Sequence, residues 1–180
     1  SPVRGDDITA IGDSVMLASA PALLDRFPGI RVDAEVSRSM YAAPAIVERL
    51  RDAGELRRYV VVALGTNGAV DRETLDRLDA AIGPTRELVL VTAFADRDWI
   101  SGVNAELAAY AATHPRVEIA DWSDAIASRT DLLAGDGIHP GDAGGRVFAD
   151  AVDAAVERAE IERTQRVFRG GLSGWQLDGE

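Results

Sequence analysis

Tyr59-Val60-Val61-Val62-Ala63-Leu64, followed by Gly65-Thr66-Asn67-Gly68, is the stretch on which the fold turns. Its apolar residues run on without a polar face, so a strand here is covered on both sides. That is the signature of a parallel sheet with helices packed above and below. The run Leu88-Val89-Leu90-Val91, inside a strand predicted over 87–94, repeats the pattern.

Working outward, short strand-type runs alternate with longer helical ones. Ile8-Thr9-Ala10-Ile11 reads as the first strand. Residues 30–36 read as the second, with Ile30, Val32, Ala34 and Val36 alternating inward, and 117–120 as the last. Helical spacing covers 15–27, where Val15, Leu17, Leu23, Leu24 and Phe27 form the apolar side. It recurs over 41–53, 71–82, 99–112, 122–129 and 141–159, with Ile46, Val47 and Leu50 inward on the second and Val147, Phe148, Val152 and Val156 on the last. Pro28-Gly29, Gly54 and Gly83-Pro84 stand where helices should stop. Five strands, each followed by a helix, predict an α/β fold, a three-layer α/β/α sandwich around a five-stranded parallel sheet. Ligands of such sheets sit beyond the carboxyl ends of the strands. Gly12-Asp13-Ser14, Ser37 and Gly65-Thr66-Asn67-Gly68 all fall at that edge. The pattern divides the chain into a domain over 1–159 and a C-terminal extension over 160–180. There Gly170-Gly171, Gly174 and Gly179 interrupt scattered apolar residues, and Val167, Phe168, Leu172 or Trp175 would dock it.

The chain has 180 residues, enough for one domain with a sizeable core. Thirty acidic residues against nineteen basic ones give a net charge of −11, which disfavours a partner held by phosphate contacts, so no nucleic acid is expected. The absence of cysteine removes disulfides, thiol nucleophiles and cysteine zinc sites together. Two histidines, His114 and His139, are too few for a multi-histidine metal site, and no metal is expected. No run reaches the ~20 apolar residues of a membrane helix. Residues 1–7 are short and polar, unlike a signal peptide.

Ile11-Gly12-Asp13-Ser14-Val15-Met16 closes the first strand and opens the first helix. A serine at such a corner is either a nucleophile or a helix cap. Asp136-Gly137-Ile138-His139 supplies the other two residue types a serine nucleophile needs: a base, His139, and a carboxylate, Asp136, to orient it. Asp-Gly is equally a common turn. His114 precedes Pro115 in a loop and has no acidic neighbour in sequence, so His139 is the candidate base. Acyl transfer also requires donors for an oxyanion. The backbone N–H of Ser14, the side-chain amide of Asn67 and the backbone N–H of Ser37 are the candidates, although Thr-Asn-Gly is also good turn chemistry. Arg38, Arg97 and Asp98 stand as rim residues.

With these residues assembled, the chain resembles the SGNH hydrolase superfamily, or GDSL-type esterases. Gly12-Asp13-Ser14 is similar to its first block, Gly65-Thr66-Asn67-Gly68 to its third and Asp136-Gly137-Ile138-His139 to its fifth, in order and spacing over residues 7–159. Gly12 to Met16, Val61 to Gly68, Trp99 with Asn104, Asp121-Trp122 and Asp136 to Pro140 further resemble the extracellular SGNH domain of OatA-like acyltransferase-3 peptidoglycan O-acetyltransferases. The resemblance implies a flavodoxin-like SGNH fold and a catalytic triad of Ser14, Asp136 and His139. It implies an oxyanion site of Ser14, Ser37 and Asn67, and substrate contacts from Arg38, Gly65 and Trp99. It also implies an acyl donor and a carbohydrate acceptor, no cofactor, and a membrane acyltransferase-3 domain in a longer parent displaying this domain at the extracellular face. One departure is visible: Ser37 stands where the family's second block has glycine. The expected activity is serine-dependent O-acetyl transfer or acetyl-ester hydrolysis. A secreted carbohydrate or lipid esterase and a non-catalytic glycan-binding module are the alternatives. A nucleotide-binding protein is a weaker one, since no Gly-rich phosphate loop follows the first strand.

Overall fold

Five strands form one sheet in a computed structural model, described for the backbone of residues 3–178 and the side chains of residues 3–171. The strands are β1 (Ile8–Gly12), β2 (Arg31–Ala34), β3 (Tyr59–Ala63), β4 (Glu87–Val91) and β5 (Val117–Ala120). Their order is β2-β1-β3-β4-β5, and every neighbouring pair is parallel. The helices are α1 (Ser14–Arg26), α2 (Ala43–Asp52), α3 (Arg72–Ile82), α4 (Ile100–Thr113), α5 (Trp122–Ala127) and α6 (Asp142–Asp178). The predicted fold class and strand count are those observed.

Alternate residues of each strand enter two separate cores, as the period of a strand requires. Ile8, Ala10, Tyr59, Val61, Val89 and Val91 pack under α1, α5 and α6. Ile11, Val60, Val62, Leu88 and Leu90 pack under α2, α3 and α4. Trp122 and Phe148 meet edge to face at 5.3 Å and join α5 to α6. Such an aromatic pair adds about 1 kcal/mol beyond its area. The chain leaves β1 towards β2 on one face and returns to β3 on the other. The reversal opens a crevice between the carboxyl ends of β1 and β3.

Three expectations change. Leu17 and Leu24 are 45% and 50% exposed, so the apolar side of α1 is narrower than its spacing predicted and rests on Val15, Met16, Leu23 and Phe27. Strand β2 ends at Ala34, which frees Val36 to stand 67% exposed above the sheet edge. The last helix does not stop near Ala159 but continues to Asp178. Charge, rather than an apolar stripe, holds its continuation. Glu160 accepts from Tyr59 Oη–H at the start of β3, and Arg166 pairs with Glu87 at the start of β4 and donates to Pro115 O at 3.2 Å. Val167 and Phe168 are 63% and 65% exposed and do not dock it, and the Leu172 and Trp175 side chains lie outside the described residues. Among the described residues no helix is long and apolar enough to cross a membrane.

Glu87 is buried, one of its carboxylate oxygens has no partner, and burial pushes its carboxyl above the usual range while Arg166 draws it back. Removing one partner of a buried ion pair costs more than the pair contributes. Arg166→Ala should therefore lower unfolding free energy in urea by about 2 kcal/mol, and adding Glu87→Gln should restore most of that loss.

Candidate active site

Strand β1 delivers Ser14 to the crevice. Asp13 N–H donates to Ala63 O at 3.2 Å, extending the β1–β3 pairing by one residue. The capping of α1 falls to Asp13, whose Oδ1 accepts from Val15 N–H at 2.9 Å. Asp13 is buried. Burial pushes its carboxyl above the usual value, and the Val15 hydrogen bond opposes that shift. Because Asp13 caps the helix, the Ser14 hydroxyl is free for another partner. It donates to His139 Nε2 at 2.8 Å. On the far side of the ring, His139 Nδ1–H donates to Asp136 Oδ2 at 2.5 Å. Asp136 thereby sets the tautomer, leaving Nε2 as an acceptor towards Ser14.

The imidazole and carboxylate ride on the loop between α5 and α6. Asp136 Oδ1 accepts from Ile138 N–H at 2.9 Å and from His139 N–H at 3.1 Å. Ala134 N–H donates to His139 O at 2.8 Å, and Leu133 and Pro140 pair as an antiparallel bridge. The turn passes through Gly137 at φ +71°, a conformation open to glycine at little cost. The His139 hydrogen bond first, and the two backbone donors after it, hold the Asp136 carboxyl down at about 2. Asp136 is thus an ionised acceptor throughout the mildly acidic and neutral range.

Around Ser14 and His139 lies an open cleft of about 460 Å³, lined also by Leu17, Val36, Ser37, Asn67 and Arg97. Asn67 Nδ2 donates to Arg38 O at 3.0 Å, and Asn67 Oδ1 accepts from Arg97 Nη1 at 3.1 Å. A side-chain amide has two donor hydrogens, so one remains for a ligand. The Ser14 N–H, at the first position of α1, has no acceptor within its helix. Ser37 has φ +65°, the sole positive φ among non-glycine residues of the described chain. This is the position where glycine was the expected residue.

No family model matches the chain. The O-acetyltransferase OatA of Staphylococcus aureus (strain NCTC 8325 / PS 47) is 30% identical over 148 residues, 82% of this chain and 24% of that protein. The C-terminal catalytic domain of Streptococcus pneumoniae peptidoglycan O-acetyltransferase A, solved with a methylsulfonyl adduct, superimposes with a TM-score of 0.79 at 26% identity, covering 87% of this chain and 95% of that one. The chain is an SGNH-superfamily domain of the OatA type. A family 3 carbohydrate esterase from Talaromyces cellulolyticus shares the SGNH fold, with a TM-score of 0.67 at 16% identity over 84% of this chain and 96% of that one. The SGNH domain described here spans about a quarter of the length of the curated relatives it matches.

Within this SGNH domain the structure brings together Ser14, Asp136, His139, Ser37 and Asn67, and gives Arg38, Gly65 and Trp99 partners within the protein. Arg38 turns inward: its guanidinium, 7% exposed, pairs with Asp33 at 3.0 Å and Glu35 at 3.3 Å and donates to Asp33 O at 2.8 Å. It is a brace for the end of β2. Gly65 faces α4, where a Cβ would stand 2.8 Å from Val103 Cγ1, so close packing accounts for it. Trp99 Nε1 donates to Thr66 O at 3.0 Å and supports the loop after β3 from behind. His114 stacks on Tyr110 at 3.7 Å between ring centres and accounts for the end of α4. Three cleft walls were missed, Leu17, Ala18 and Val36. Leu17 stands three residues after Ser14, on the same helical face, a signal the spacing carried. Val36 escaped because the strand was read two residues too long.

An L-residue in the left-handed region carries about 1–2 kcal/mol of strain, against about 0.5–1 kcal/mol of extra chain entropy lost by glycine. Ser37→Gly should raise unfolding free energy by about 0.5 kcal/mol, and Ser37→Val should lower it by more than about 1 kcal/mol, both read by urea denaturation.

Proposed function

We propose that this domain is a serine O-acetyltransferase that works through an acetyl-enzyme on carbohydrate hydroxyls of the cell wall, as the domain of a longer, membrane-anchored protein at the extracellular face. The observation that carries the reading is the continuous hydrogen-bond relay from Ser14 through His139 to Asp136. The likeness to an O-acetyltransferase and to the catalytic domain of a peptidoglycan O-acetyltransferase supports its direction.

In the proposed reaction Ser14 Oγ attacks the carbonyl carbon of an acetyl ester while its proton passes to His139 Nε2. The oxyanion takes hydrogen bonds from Ser14 N–H and the free Asn67 amide hydrogen, with Ser37 N–H as a third donor. Collapse expels the donor alkoxide, which takes the proton from His139. A sugar hydroxyl then gives its proton to His139 and attacks the acetyl carbon, and collapse releases Ser14 Oγ, which takes that proton back from His139. Asp136 stabilises the imidazolium formed twice in the cycle. None of these steps calls on a metal or organic cofactor.

Water competes with the sugar at the second step. The His139 side chain is 37% exposed and the cleft is open, which favours some acetyl-ester hydrolysis by the same intermediate.

Ser14→Ala should abolish covalent labelling by methanesulfonyl fluoride and acetate release from an aryl acetate, with an unchanged circular dichroism spectrum. Retained acetate release would refute the assignment. With a chitooligosaccharide acceptor, mass spectrometry should find acetylated sugar as well as free acetate. Because the Asp136 carboxyl is held down at about 2, its protonation should add no inflection to the kcat/KM profile above pH ~3. Asp136→Asn should lower kcat by about 10³-fold or more.

A further inference from the structure

A side-chain amide has two faces of opposite sign. An oxyanion site needs the N–H face, and a half-turn about the terminal bond would present the carbonyl oxygen instead, which repels the developing charge. Something must therefore decide which way the Asn67 amide points.

Two groups flank it. On one side stands a pure acceptor, Arg38 O, 3.0 Å from Asn67 Nδ2. On the other stands a pure donor, Arg97 Nη1, 3.1 Å from Asn67 Oδ1. The flipped amide would set oxygen against oxygen on the first side and N–H against guanidinium on the second. Both contacts would be repulsive. Each flanking group is itself anchored. The Arg38 backbone is tethered by its own side chain, bound to Asp33 and Glu35. Arg97 Nη1 also donates to Thr66 O at 2.9 Å, and its guanidinium lies over the Trp99 ring at 5.7 Å from the centre. Trp99 donates to the same Thr66 carbonyl. The loop that carries Arg97 is tied to α4, where Asn104 bonds both the N–H and the C=O of Ala93 at 2.8 Å.

We propose that Arg97 is the positioning residue of the oxyanion site: it locks the Asn67 amide with its free N–H towards Ser14 and, as a charged donor on Oδ1, polarises that N–H. This inference rests on the acyl-enzyme reading given above. It also explains why a half-buried basic residue lines the cleft of an acidic chain with no acidic partner of its own among the described residues. Hydrogen bonds from a charged donor are roughly twice as strong as neutral ones, and a donor aimed at developing charge acts on kcat rather than on ground-state binding.

The test is a double-mutant cycle on aryl acetate turnover with a parallel spectroscopic readout. Arg97→Ala alone should lower kcat about 10-fold and leave KM within about twofold. In an Asn67→Ala background the same change should lower kcat less than about twofold, because the group through which it acts is already gone. Arg97→Lys, which restores a charged donor, should recover part of the loss. In ¹⁵N–¹H spectra, the Asn67 side-chain amide pair, assigned by its absence in Asn67→Ala, should shift and broaden in Arg97→Ala. An equal kcat loss in both backgrounds, a loss confined to KM, or an unmoved Asn67 amide signal would overturn the proposal. The spectroscopic arm does not depend on turnover. If Ser14→Ala proves active, the acyl-enzyme reading fails while the amide signal still reports whether Arg97 orients Asn67.

Discussion

The pairing of β1 with β3 is the constraint from which the site follows. Gly12 faces Ala63 across the ladder, and Asp13 N–H closes one more bond to Ala63 O. Two parallel strands held in this register end at the same height. The residues just beyond them, Ser14 and Asn67, are brought to one edge although 53 positions, from 14 to 67, separate them in the chain. The crossovers leave β1 and β3 on opposite faces, so no helix covers the gap between their ends. A cleft at that point is a consequence of topology before any side chain is specified.

The polar groups at this edge are costly to place and are satisfied almost wholly from within the protein. Asp13 is buried to cap α1, and an unpaired oxygen remains. Arg38 is buried to hold the end of β2, and it draws on Asp33, Glu35 and the Gly12 carbonyl to do so. Thr66 offers its carbonyl to two donors from the β4–α4 loop. These interactions stiffen three loops that the sheet alone would leave to solvent. Ser37 adds strain at the same edge, where a left-handed backbone carries a Cβ. Strain and buried polarity persist where the surrounding structure over-determines them.

Much of the fold could be read from the chain because apolar periodicity reports burial directly. The uninterrupted run from Tyr59 to Leu64 announced a strand covered on both faces, and it is. The trio of Ser14, Asp136 and His139 was legible because chemistry restricts the residue types and a three-residue spacing lets the carboxylate reach its own imidazole. Arg38, Gly65 and Trp99 have structural partners that the sequence did not show, for a shared reason. Each lies at the right edge of the sheet, but edge position does not report which way a side chain turns. Arg38 found acidic partners inward, Gly65 met α4, and Trp99 reached the Thr66 carbonyl. The continuation of α6 was hidden because Tyr59, Glu87 and Pro115, which anchor it, are remote in sequence and polar in their contacts. Periodicity has no means of registering such contacts.

The two halves of the relay are held by different physics. Ser14 and Asn67 stand on the ends of buried strands, and their positions move only if the sheet moves. His139 and Asp136 stand on an irregular loop with half-exposed side chains, closed by the Leu133–Pro140 bridge, whose backbone bonds run from Ala134 N–H to His139 O and from Gly141 N–H to Leu132 O, and by the turn at Gly137, whose N–H donates to Ala134 O. The loop compensates with a local lock. One carboxylate receives two backbone donors on one oxygen and the imidazole on the other, so any rotation of Asp136 breaks three hydrogen bonds at once. The imidazole therefore has one comfortable orientation, and in that orientation Nε2 meets the serine. Alignment of the relay thus rests on a rigid edge and a self-locking turn, joined by the hydrogen bond from Ser14 to His139 and by Leu133 and Ile138, which pack the turn against the core.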